Sequence, residues 1–207
     1  TMSKTIKGAG RAVLAGVAFA AAAFVAAPTQ AAVLLDEDFS AATIFDGLTV
    51  TSSSNLNKWI DFPNSNRWGL QSGGICASPC SGQFAQHLVQ SSDNTNLLFY
   101  GISGAGITAG STLTLDLSYI ASNRAGRATI AGLTGTQEVD PFAPWFQPAD
   151  ANDGVVLTTL SLAQSGTWTT AHLEVTLSQT YGAFVIGFEM GGTTGSRGVD
   201  NILFQDV

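Results

Sequence analysis

The sequence predicts an all-β sandwich, and three observations carry that prediction. Several short runs alternate apolar and polar residues, the period-2 pattern of strands with one face buried. Clusters of Gly, Ser, Asn and Pro separate those runs, as turns require. Beyond the N-terminal segment, no stretch shows the period of an amphipathic helix, and only 11% of residues are charged.

The elements can be justified in chain order. Lys4, Lys7 and Arg11 form a basic start, and residues 12–27 are uncharged and apolar. Pro28 then breaks the run, and small residues lead to a cut after Ala31 or Ala32. Basic, then apolar, then small is the order of a secretory signal peptide, helical over 1–31. A membrane anchor is the alternative, but the run is shorter than the ~20 apolar residues a spanning helix needs. The remainder, 32–207, reads as one domain, long enough to bury about 70% of the surface its unfolded chain exposes.

Strands are expected at 33–39, 48–52, 84–89, 96–100, 112–120, 127–131, 155–162, 170–177, 183–190 and 199–204. The clearest is "TLTLDLSYI". Its Leu113, Leu115, Leu117 and Tyr119 share one face, with Thr112, Thr114, Asp116 and Ser118 on the other. In 170–177, Ala171, Leu173, Val175 and Leu177 oppose His172, Glu174 and Thr176. In 183–190, Phe184, Ile186, Phe188 and Met190 oppose Val185, Gly187 and Glu189. Trp68 and Trp168 stand at strand starts and read as packing residues. Residues 136–154 hold three prolines and read as an ordered loop.

Cleavage after Ala31 would leave five Lys and Arg against fifteen Asp and Glu, a net charge near -10. Such a chain repels nucleic acid and anionic lipid. It suits uncharged glycans or cations such as calcium, without membrane insertion. Cys76 and Cys80 are the two cysteines. In an oxidising compartment they are expected to form a disulfide. A zinc pair would need further ligands, and neither His87 nor His172 has the spacing.

Several pieces taken in order support a family resemblance: "LLDEDFS", "NRWGLQSGG", "NTNLLFYGI", "ITAGSTLTLDLSYIAS", "GTWTTAHLEVTL", "AFVIGFEMGG" and "GVDNILF". Together they resemble secreted modules of the galactose-binding-like type, which includes carbohydrate-binding modules and MAM-like domains. The resemblance implies a two-sheet antiparallel jelly roll with its first and last strands adjacent. It also implies a structural calcium near them, with Asp36, Asp38 and Asp200, and more weakly Asn201, as ligands. Calcium would take such oxygen donors, although Ser40 stands where these modules often carry Glu. In the alternative reading, Asp36 and Asp38 face solvent on an edge strand and Asp200 forms a turn. "DANDG", 150–154, lacks the acidic spacing of an EF-hand and reads as a turn.

Three function classes remain. Asp116, His172, Glu174 and Glu189 lie on polar strand faces. On a shared concave sheet, two carboxylates could reach the ~5–9 Å separation of glycoside hydrolysis. No nucleophile elbow, phosphate loop or zinc signature accompanies them. A binding surface would use aromatic platforms and hydrogen-bonding side chains. Its candidates are Trp145 and Phe146 in "DPFAPWFQPAD", Trp59, and Arg124 and Arg127 in "SNRAGRA". Trp145 and Phe146 could equally fold back as a lid on the core. The third class is a self-associating matrix or filament subunit using exposed strand edges. The sequence favours a secreted protein that binds extracellular carbohydrate without cleaving it.

Overall fold

The alternating run from Thr112 fixes the centre of the molecule. In the computed structural model it becomes a ten-residue strand whose Leu113, Leu115, Leu117 and Tyr119 all point into the core. The structure describes residues 31–62, 68–73, 75–80, 82–88, 97–139, 154–190 and 195–207. Residues 1–30 of the expected signal peptide, the "DANDG" turn up to its last residue, and the candidates Trp145 and Phe146 lie outside them.

Among the described residues there is no helix. The strands are β1 (Ala32–Glu37), β2 (Ile44–Asp46), β3 (Val50–Thr51), β4 (Trp59–Phe62), β5 (Trp68–Ser72), β6 (Gln83–His87) and β7 (Leu97–Ser103). They continue as β8 (Thr112–Ala121), β9 (Gly126–Leu133), β10 (Glu138–Val139), β11 (Val155–Leu162), β12 (Ser165–Thr176), β13 (Ala183–Glu189) and β14 (Arg197–Asp206). One sheet runs β12-β8-β14-β6-β5, with β1 also on β14; the other runs β11-β9-β13-β7-β4-β2. All pairings are antiparallel except β2 on β4. Leucines of β8 and β12 meet Ile130, Phe184, Ile186 and Phe188 of the opposite sheet, forming the main core.

A second apolar layer lies outside this core. Val185, Phe99, Leu97 and Ile60 point away from it, and Val50, Val139, Leu133 and Ala183 cluster with them. β3 and β10 pair with each other there as a small separate sheet. β13 is therefore buried on both faces, where the sequence suggested one polar face. The same layer explains why Glu138–Val139, expected within a loop, pairs as a strand: Val139 needs the cover.

The last strand answers to two partners. β14 runs along β8 on one side, with its register shifted between Asp200 and Leu203. On the other side, Gly198 and Val199 pair with β6, while residues from Ile202 onward pair with β1. Asp200 and Asn201 sit where one neighbour gives way to the next. Asn201 adopts φ 47°, a left-handed conformation that Asn tolerates better than most residues. Its side-chain amide donates to the carbonyl of Pro79, tying the bulge to the Cys76–Cys80 loop. The expected disulfide is present. Trp168 donates from Nε1 to the Ile75 carbonyl at 2.7 Å and packs edge-on against Phe84, holding that loop to the outer face of the sheet.

Candidate functional site

The candidate site lies on the outer face of the second sheet, at the β9 start. Antiparallel register places Ser161, Arg127 and Glu189 side by side across β11, β9 and β13. The next row on that face carries Thr159, Thr129 and Gly187. Beyond β13, the same face is covered by the second apolar layer, so polar side chains collect at the β11 edge.

These residues line a cavity of about 370 Å³ with Arg124, Ala125 and Gly126. Gly126 is needed there: a Cβ at that position would lie 2.8 Å from the Glu189 carbonyl oxygen and 2.7 Å from the Met190 sulfur. Glu189 is nearly buried, and its carboxylate accepts from Arg127 Nε at 2.9 Å and also from Nη2. One oxygen, Oε2, takes both donors. Thr129 and Thr159 hydroxyls lie 3.3 Å apart. Arg124 is exposed on the turn between β8 and β9. The arrangement offers a fixed guanidinium, a carboxylate and hydroxyls along an open wall, a set that can bond several ligand hydroxyls at once.

The other sequence candidates fall elsewhere. Trp59 is 2% exposed, so it cannot act as a surface platform. Its ring packs on Phe39 and Tyr100 at centroid separations of 5.0 and 4.8 Å. Its Nε1 donates to Glu37 Oε2 at 3.0 Å, and Glu37 Oε1 accepts from the Phe39 N–H at 2.6 Å. Phe39 is fully buried at φ 59°, a strained conformation for a bulky residue. Glu37 thus clamps the end of β1 onto the core, a role the sequence reading did not assign it.

Asp36, Asp38 and Asp200 do not form the expected calcium cage. Asp36 and Asp38 are exposed, while Asp200 is fully buried in the β14 bulge. A hydrogen bond from the Ser40 side chain, then one from its backbone N–H, holds the Asp38 carboxyl below its usual value. Among the described residues, the one cluster with closely spaced metal-ligating atoms is Cys76, Cys80 and Asp200, and its sulfurs are joined to each other. The residues proposed for the ion do not fit it.

Of the suggested catalytic residues, Asp116, His172 and Glu174 share one face and Glu189 lies apart. His172 Nδ1 lies 2.7 Å from Asp116 Oδ1, with Glu174 beside it, all well exposed on the outer face of the first sheet. Glu189 belongs to the other sheet. Glu189 therefore shares no face with Asp116 and Glu174.

No protein-family model matches the chain, and no curated protein matches it in sequence. Solved structures do match. A candidate sugar-binding protein from Bacteroides thetaiotaomicron aligns at TM-score 0.56 and 7% identity, over 85% of this chain and all of that one. The CBM22-1 xylan-binding domain of Paenibacillus barcinonensis Xyn10C aligns at 0.51 and 10% identity, over 87% and 98%. The Clostridium thermocellum xylanase 10B CBM22-1 and GH10 modules, complexed with xylohexaose, align at 0.50 and 9% identity, over 84% of this chain and 28% of theirs. At such identities the likeness is one of fold. The chain has the jelly-roll sandwich of these carbohydrate-binding modules, as the ordered sequence pieces led one to expect.

Proposed function

We propose that the chain is a secreted, non-catalytic protein that binds extracellular carbohydrate in the cleft formed by Arg124, Arg127, Thr159, Ser161 and Glu189. The observation that carries this reading is the cleft's row of Ser161, Arg127 and Glu189, fixed by strand register and by the Arg127–Glu189 ion pair. A sugar ring presents hydroxyls that both donate and accept, and a preordered row of both kinds recognises it without first losing rotamer freedom. Sandwiches of the same fold that bear sugar- or xylan-binding names support the choice of ligand class. Among the described lining residues Glu189 has no second carboxylate beside it, which supports binding over hydrolysis in this cleft.

The test is a glycan array followed by titration calorimetry on the best ligand. Ser161→Ala combined with Arg127→Ala should weaken binding at least tenfold, about 1.4 kcal/mol. Undiminished binding would remove this cleft from the site, and failure to bind any glycan would remove the reading. Self-association is supported by one feature: β11 is an edge strand that exposes Val155 and Val156. Sedimentation over a range of concentrations distinguishes it.

A further inference from the structure

The outer face of the first sheet holds an imidazole between two carboxylates, a group that carbohydrate binding in the cleft leaves unused. β12 ends its sheet, and strand alternation puts His172 and Glu174, two residues apart, on one face. Register sets His172 opposite Asp116 of β8, and Glu174 opposite Thr114. The two rows continue through Leu203 to Asp36 and through Gln205 to Val33. No Lys or Arg stands in either row, and the chain carries a net charge of -7, so a cation approaches this face without repulsion. Asp116, His172 and Glu174 are all well exposed. The other histidine, His87, is buried, so His172 is the imidazole that a dissolved ion reaches.

The contacts decide which ring nitrogen is available. His172 Nδ1 lies 2.7 Å from Asp116 Oδ1. An ionised carboxylate accepts and cannot donate, so Nδ1 carries the proton and donates it to that bond. In the neutral ring Nε2 then holds a lone pair. It lies 3.9 Å from Glu174 Oε2, a second electron-pair donor. That separation is too long for a hydrogen bond, whereas a metal ion between the two atoms satisfies both. Metal–nitrogen and metal–oxygen distances of about 2.0–2.2 Å put tetrahedral donors roughly 3.4 Å apart. Two exposed side chains close the difference of about 0.5 Å by small rotations. Asp116 stands where a carboxylate behind a ligating imidazole fixes its tautomer and the angle of its ring.

We propose that His172 Nε2 and Glu174 Oε2 bind a divalent transition ion of the zinc and copper(II) class, with Asp116 as a positioning residue. The site lies on the other sheet from the cleft and stands independently of carbohydrate binding. An imidazole donor suits zinc and copper(II), whereas calcium and magnesium take oxygen donors. Two protein ligands leave the remaining positions to water, so the ion is exchangeable and adds little to folding.

The experiment titrates zinc chloride by calorimetry into the full chain, without a polyhistidine tag, and follows copper(II) by electron paramagnetic resonance. Zinc should bind saturably, one ion to each chain, and calcium or magnesium in about tenfold excess should not displace it. The copper spectrum should show coupling to a single imidazole nitrogen. His172→Ala should abolish that coupling and weaken zinc about tenfold or more; Glu174→Gln should keep the coupling and weaken zinc about tenfold. Asp116→Asn should also weaken zinc about tenfold. In that variant the His172 ring-nitrogen shifts should change from one Nδ1–H tautomer to a mixture, a change that a merely structural role would not produce. All three variants should melt within about 2 °C of the parent, since the side chains are exposed. Absence of saturable zinc binding, binding that survives His172→Ala, or displacement by calcium at equal concentration would overturn the proposal. A single Nδ1–H tautomer retained in Asp116→Asn would remove the positioning role from Asp116.

Discussion

Replacing Glu37 with Ala tests what holds the first strand to the sandwich. The carboxylate accepts two hydrogen bonds, from the Phe39 N–H and from Trp59 Nε1. Trp59 is 2% exposed, so its indole N–H would be left in an apolar site, at a cost of about 1–3 kcal/mol. The Phe39 bond also helps to sustain a backbone at φ 59°, a conformation that costs roughly 1–2 kcal/mol in itself. Together these predict a loss of about 3 kcal/mol. For a domain of this size each kcal/mol lowers Tm by about 2–4 °C, so calorimetry should show a fall of roughly 6–12 °C. Trp59→Phe removes the indole donor together with part of the buried ring, so a cavity adds to its cost. A double-mutant cycle between the two should give a coupling of about 1–2 kcal/mol. Glycan binding by Trp59→Phe should be unchanged, because the ring is enclosed. The clamp would be refuted by a Glu37→Ala protein melting within about 2 °C of the parent. Lost binding by a folded Trp59→Phe protein would restore Trp59 as a contact residue.

Other perturbations follow from the same geometry. Reducing the Cys76–Cys80 bridge, which spans a sequence separation of 4, should cost about 2 kcal/mol by loop entropy, seen as a Tm lowered by roughly 4–8 °C. Asn201→Gly keeps the left-handed backbone but loses the tie to Pro79, and should cost about 1 kcal/mol in a denaturant titration. Asn201→Val loses both and should cost about 2–3 kcal/mol. A calcium chelator should leave Tm unchanged, since Asp36 and Asp38 lie exposed away from buried Asp200. Burial, then the nearby charge of Glu37, raises the Tyr100 phenol above its ordinary 10.0. Its folded pKa exceeds the unfolded one, so its contribution is complete below pH 10 and is lost as pH climbs through the folded value. Tyr100→Phe should therefore flatten the alkaline limb of Tm against pH.

Strands with one wet face were legible because period-2 alternation is read directly. β8 and β11 start at the residues expected of them and end within one residue of the expected limits. β13 was legible as a strand but not as a doubly buried one, because Val185 and Gly187 look the same whether solvent or another layer faces them. Trp59 misled for a related reason. A tryptophan between Lys58 and Asp61 reads as exposed, but Asp61 is itself fully buried and accepts from the Trp68 N–H at 3.0 Å. Local polarity cannot reveal a partner that arrives from a distant strand. The cleft was half legible: Arg124 and Arg127 could be picked out near a turn, whereas Glu189, Thr159 and Ser161 join them only through register.

The Asp-Asn pair near the C-terminus shows how register converts a local motif into a different role. The family resemblance assigned Asp200 to an ion shared with β1. Yet β1 joins β14 only from Ile202 onward, after the register shift. Asp200 precedes that shift, opposite Ser118, and belongs to the part of the strand bordered by β6 and the disulfide loop. One extra residue in a strand turns side chains to new directions and ends one pairing so that another can begin. Asn201 supplies the backbone freedom for that step and a side-chain bond to Pro79. The polar pair thus lets one terminal strand serve two neighbours. If Asn201→Val left both stability and the reduction rate of the disulfide unaltered, this account of the bulge would fail, and the acidic residues near β1 would again need an explanation.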